Sequence, residues 1–379
     1  MGPLAGIRVI EMAGLGPVPM CGMMLSDMGA EVFLVERASS ASAESTLHVS
    51  KRDMLRRGKI PIALDLKSKA AIALVLALIE KSDVLIEGFR PGVMERLGLG
   101  PDECLQRNKR LVYGRLTGWG QTGPLAQTAG HDPNYISLTG TLYHSGTADQ
   151  PPQAPPTLLG DSAGGAAMLA LGISSALIPA IKEGKGQVID AAIVEGTAYL
   201  ASFARSFYLA GQLDNTRGQQ WMDGGAPWNR TYQCADGAFV TLCPVEQKFY
   251  QLMLELLGLH EEPLFAGRSQ WDKQYWPEQC QHLQELFLTR DREHWCTLLE
   301  GTDACFAPVL DYGEAPLHAH NQARQSYMEV DGEWHPKPAP RFSATVCEPR
   351  WGTDDQLSVV KALQEAEIDD QLVQDAGLA

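Results

Sequence analysis

Two side chains able to move a proton, His131 and Asp161, lie in the glycine-bearing stretches GHDPNYISLTG and LLGDSAGGA, thirty positions apart. An imidazole and a carboxylate on opposite sides of one carbon can exchange that carbon's proton, each being base toward one configuration and acid toward the other. Asp132, next to His131, could hold the imidazole in one tautomer. Asp161 comes just ahead of the apolar run Ser162 to Ile181, where it reads as a helix N-cap. The same position would put free amides beside a developing oxyanion. Glu246, in CPVEQKFY, reads either as a charge at a helix N-terminus or as a partner that raises the basicity of the histidine.

Cationic side chains gather at strand ends and in loops of the first half. Arg37, Arg90 and the group Arg56-Arg57-Gly58-Lys59 together suit the phosphates of a nucleotide-like handle. The wider run Lys51 to Lys59, KRDMLRRGK, reads equally well as solvated surface. Other chemistries lack their residues. No serine sits in a nucleophile elbow, and no cysteine has an activating base near it in sequence. His318 and His320 have no acidic cluster to join them, so no metal is expected. The glycine turn GLGPVP lacks the GxGxxG spacing of a dinucleotide site.

The elements that must position these residues alternate in type. Ile7 to Glu11, Glu31 to Val35, Ile62 to Leu66, Asp83 to Ile86 and Leu111 to Leu116 read as strands, with helical sequence after the first and third. That pattern predicts an α/β fold with a doubly wound, Rossmann-type sheet, whose ligands bind beyond the carboxyl ends of the strands. Val188 to Ala192 reads as one more strand, and Glu195 to Gly211 as helical. After a Trp-, Gly- and Pro-rich stretch, TYQCAD and AFVTLC flank an Asp236-Gly237 turn. Helices over Gln247 to Leu257, Trp276 to Thr289 and Arg292 to Leu299 complete a smaller α+β domain. The expected division is 1–187 for the large domain, 188–224 for a helical linker, 225–330 for the small domain, and 331–379 for a segment returning to the large one.

Composition bounds the partners. A formal net charge of −15 over 379 residues opposes general binding to nucleic acid. No apolar run approaches ~18 residues, so no membrane span is expected. Neither a signal peptide nor an SKL-type ending is visible, and the eight cysteines form no CxxC pair. A cytoplasmic enzyme is the plain reading.

Ordered blocks through most of the chain, among them PLAGIRVIEMAGLGP, DMGAEVFLVER, DVLIEGFRPGVMERLGLGP, RLTGWGQTGP, AGHDPNYISLTG, GKGQVIDAAIVEGTAYL and GTDACFAPVL, resemble the alpha-methylacyl-CoA racemases of the family III CoA-transferase superfamily. The resemblance implies an interlocked homodimer of Rossmann-type subunits, a site where the subunits meet, and an acyl-CoA substrate with no separate cofactor. Carried over by position, it makes His131 and Asp161 the two bases and Glu246 the acid paired with the histidine. It places Arg37, Arg90 and Tyr135 near coenzyme A, and Lys59 of the basic group joins them as a candidate contact. The family's GAIEPQF reads CPVEQKF here, and Ser162 stands where close racemase relatives carry phenylalanine. Racemisation at C2 of a 2-methylacyl-CoA is the leading expectation. The alternatives are CoA transfer with Asp161 as nucleophile and acyl-CoA binding without catalysis.

Overall fold

In the computed structural model, which describes residues 2–38, 53–351 and 355–378, the chain divides into two compact units. One comprises Met1–Thr139, Pro155–Leu200 and Met328–Ala379, and the other Gly140–Ala154 with Ala201–Tyr327. The first unit is built on six parallel strands: β1 (Arg8–Met12), β2 (Glu31–Arg37), β3 (Lys59–Leu64), β4 (Val84–Glu87), β5 (Val112–Thr117) and β6 (Gln187–Ala192). They lie in the order β3-β2-β1-β4-β5-β6, the doubly wound arrangement read from the sequence. The order reverses between β1 and β4, and a crevice opens there beyond the carboxyl ends of the strands.

The inner strands are apolar on both faces because both are covered. Along β1 and β2, Ile10 and Phe33 join Leu74, Leu78 and Tyr113 on one side, while Val9 and Val32 join Leu169 and Ile173 on the other. The first core is closed by α2 (Lys69–Glu80), capped by the Ser68 side chain, and by the helix Gln356–Glu365 of the returning C-terminal segment. The second is closed by α1 (Pro17–Asp27) and a long helix that starts as a π-helix over Leu158–Ala167 and continues as an α-helix over Met168–Glu183. That helix is followed by β6 and by a helix over Ile193–Leu200. The boundary expected at residue 187 thus falls instead at Leu200, because β6 pairs with β5 along its whole length. Residues 140–154 go with the second unit.

The helix Leu158–Glu183 also corrects the expectation of no span-length run. Its 26 residues are apolar enough to cross a membrane by length and composition alone. Here one face, with Leu169, Ile173, Ala176 and Leu177, packs on the sheet. The opposite face shows Leu171, Ile178 and Ile181 to the surroundings.

The second unit has its own core, with Trp228, Tyr232, Tyr250, Phe287 and Trp295 fully or nearly buried. Its antiparallel sheet pairs Arg230–Gln233 with Phe239–Leu242 around the expected Asp-Gly turn, and adds Phe306–Val309 as a third strand the sequence reading did not pick out. Helices over Gln247–Leu256, Trp276–Phe287 and Arg292–Leu299 form where helical periodicity predicts them.

Candidate active site

A short helix, α3 (Asp132–Ser137), carries the first candidate base. His131 is its N-cap, in extended conformation, and its backbone is fixed from both sides. The His131 N–H donates to Asn134 Oδ1 at 3.0 Å, and its carbonyl accepts from the Asn134 and Tyr135 amides at 2.8 and 3.3 Å. This is half of a capping box, and it leaves the exposed imidazole at the rim of a cavity. The ring of Tyr135, four residues on, stands edge-to-face on Trp119 at 4.8 Å, and its hydroxyl donates to the Gly130 carbonyl.

Asp161 is not the N-cap the sequence suggests. It lies in the first turn of the π-helix, a form that recurs at functional sites. The expectation of free amides is corrected here as well. The Asp161 N–H donates to Asp132 Oδ2 at 2.7 Å, and the Ser162 N–H donates to the Thr157 carbonyl at 2.9 Å. The Asp132 carboxylate therefore holds the backbone of Asp161, and it is not the tautomer-setting partner proposed for His131. Asp161 in turn faces the start of α1. Gly16 precedes that helix with φ 75°, and a Cβ on it would lie 3.3 Å from Asp161 Oδ2.

His131 and Asp161 line one cavity of about 370 Å³, together with Tyr135, Trp119, Arg90 and the glycine turn Gly14–Val18. The side chains of His131 and Asp161 thus open onto one space at the sheet's reversal point. Burial and the adjacent Asp132 carboxylate push the Asp161 carboxyl up to about 6, against the pull of His131. That value lies in the range where imidazoles ordinarily titrate, so near neutral pH a carboxyl there exists in both forms. Burial and the Asp161 charge also raise the Tyr135 phenol, with Arg90 opposing them.

A second cavity, of about 980 Å³, lies over the ends of β1, β2 and β3, and Gly14 borders both. Exposed Arg37 lines it. The basic group expected to serve phosphates behaves differently. Arg56 pairs with Glu36 at 2.7 Å, and buried Arg57 forks onto Asp27. Lys59 borders the cavity but is 2 % exposed, and its ammonium donates to Glu11 Oε1 and the Pro19 carbonyl, both at 2.8 Å. Arg57 and Lys59 neutralise buried carboxylates, because an unpaired charge in the interior costs more than a pair. Lys51 and Arg52 of the same run lie outside the described residues.

Glu246 belongs to the second unit, where it is exposed and takes the N-cap position of the helix Gln247–Leu256. Its side chain makes no capping hydrogen bond there, so the carboxylate is not consumed by its own helix. Among the described residues, no three His, Cys, Asp or Glu side chains cluster as metal ligands would.

The sequence profile of CoA-transferase family III matches residues 4–353. The chain belongs to that family. It is 43% identical over 366 residues to the alpha-methylacyl-CoA racemase of Mus musculus, covering 96% of this chain and 93% of the mouse protein. Against the alpha-methylacyl-CoA racemase of Homo sapiens the identity is 42% over 352 residues, covering 93% of this chain and 89% of the human one. A crystal structure of a CAIB/BAIF family protein from Brucella suis superposes with a TM-score of 0.80 at 22% identity, over 95% of this chain and 99% of that one. That last likeness concerns the fold.

Proposed function

We propose that this protein is an isomerase that racemises the C2 centre of 2-methylacyl-CoA thioesters by moving one proton across an enolate. The observation that carries the reading is the single cavity lined by His131 and Asp161, with the carboxyl held near 6. A thioester acidifies its α-proton only partly, so the site must supply both a base and an acid at the same carbon. For one configuration, His131 takes the C2 proton while protonated Asp161 delivers its own to the opposite face. For the other configuration the roles exchange. General acid–base contributions of this kind are typically worth ~10²–10⁴-fold.

The coenzyme A moiety would run from the reaction cavity past Gly14 into the larger one, with Arg37 and Arg90 as candidate phosphate contacts. Glu246 is proposed as the acid that raises the basicity of the imidazole. A homodimer would cover Leu171, Ile178 and Ile181 on the long helix, which the single chain leaves exposed.

The family description keeps a second reading in play. In CoA transfer, ionised Asp161 would attack the thioester carbonyl and expel CoA thiolate, leaving an acyl anhydride. The thiolate would then attack the aspartyl carbonyl, releasing the carboxylic acid and an aspartyl-CoA thioester. One experiment separates the two: pure (2S)-2-methylacyl-CoA incubated with the enzyme in D₂O and followed by NMR. Racemisation gives inversion with solvent deuterium at C2. An aspartyl adduct trapped by hydroxylamine, with C2 neither inverted nor deuterated, would replace the isomerase reading with the transferase.

A further inference from the structure

Asp132 is a carboxylate only 4 % exposed, one residue from a catalytic base. Burial on that scale has to be offset by a partner. Its partner is the other base, whose N–H donates to Oδ2 at 2.7 Å. The fit is close. A Cβ on Gly160 would lie 2.4 Å from Oδ2, so the residue before Asp161 can approach Asp132 only as glycine. Successive residues of one helix end thus reach both proton carriers: His131 enters the cavity itself, and Asp132 grips the turn that bears Asp161. We propose that Asp132 is a positioning residue, tying the Asp161 turn to the His131 helix and fixing the charge that Asp161 faces.

This rests on the two-base reading above. Asp161 faces Asp132, His131 and the Tyr135 phenol on α3, with Arg90 bordering the same cavity. α1 presents the Gly16 backbone to it, and the helix Ile193–Leu200 places Thr197, whose hydroxyl donates to the Leu159 carbonyl, against the π-helix. Of these groups, Asp132 is the one that is both anionic and bonded to the Asp161 backbone. Its charge favours the protonated carboxyl, the form that must meet a substrate whose C2 proton points at His131.

Asp132→Asn keeps an oxygen to accept the Asp161 amide and removes the charge. The acid limb of the kcat/KM profile for racemisation should then move to lower pH. Forward and reverse profiles should move together, because two enantiomers of a substrate with no other acyl stereocentre are nearly equal in energy. A ¹³C NMR titration of the Asp161 carboxyl, run without substrate, should shift downward too, with each pH unit changing its protonated-to-ionised ratio tenfold. A uniform loss of rate at every pH with an unmoved titration would overturn the proposal and leave Asp132 merely structural. If the Asn variant does not fold, Asp132→Ser gives the same titration readout. Should wild type fail to invert C2, the two-base reading falls, while the substrate-free titration still decides the role of Asp132.

Discussion

Replacing Asp161 should make the protein more stable, and by an amount that depends on pH. Asp161→Asn preserves shape, and the hydrogen bond from its backbone N–H to Asp132 is untouched. What disappears is a carboxylate pushed up to about 6 from an ordinary 3.8 by burial and by Asp132. A carboxyl that binds its proton more tightly when folded costs nothing while protonated in both states. The cost grows as pH rises from about 4 and is complete above about 6. At 1.36 kcal/mol per pH unit the gap corresponds to roughly 3 kcal/mol. Because the side chain borders an open cavity and solvent screens it, about 1–2 kcal/mol is the figure to expect. Urea unfolding of both proteins at pH 4.5 and pH 7.5 measures it. The stability advantage of the variant should widen between the two, while its racemisation falls by ~10²–10⁴-fold. An advantage that is absent at pH 7.5, or equal at both pH values, would refute the electrostatic account of this carboxyl.

Three other outcomes follow from the same geometry. His131→Ala should lose racemisation by ~10²–10⁴-fold yet still exchange the C2 proton of the one enantiomer that presents it to Asp161; NMR in D₂O reads this, and normal exchange of both enantiomers would contradict it. Gly160→Ala should destabilise by about 1–3 kcal/mol, because the new methyl meets Asp132 Oδ2 at 2.4 Å and Ile136 at 3.0 Å; unchanged urea unfolding would show that the Asp132 contact yields freely. Ile178→Glu, on the exposed face of the long helix, should shift a dimer toward monomer by light scattering, and an unchanged mass would remove that face from the proposed interface.

The sheet was legible because parallel strands covered on both sides must be apolar throughout, and runs such as IRVIE and DVLIE carry that signal in a few residues. The helix Arg292–Leu299 was read to the residue, and the structure shows the Asp291 side chain capping its start. Other features left no local trace. The helix bearing His131 is six residues long with a proline inside its first turn, too short for any periodicity to show. A π-helix has the same composition as an α-helix, so the winding around Asp161 could not be told from LLGDSAGGA. Arg57 and Lys59 looked like ligand-binding cations because their partners, Asp27 and Glu11, lie 30 and 48 positions away in sequence. The tie from Asp132 to Asp161 spans 29 positions and escaped for the same reason. His131 and Asp161 could be singled out as candidate bases because their residue types, and the resemblance of their surrounding blocks, needed no such long-range information.

The account stands or falls on where C2 of a substrate comes to rest. A crystal structure of the protein with a bound 2-methylacyl-CoA should place that carbon between the His131 imidazole and the Asp161 carboxylate, each about 3–3.5 Å away on opposite faces. Asp161 aimed instead at the thioester carbonyl carbon, with the imidazole out of reach of C2, would contradict it.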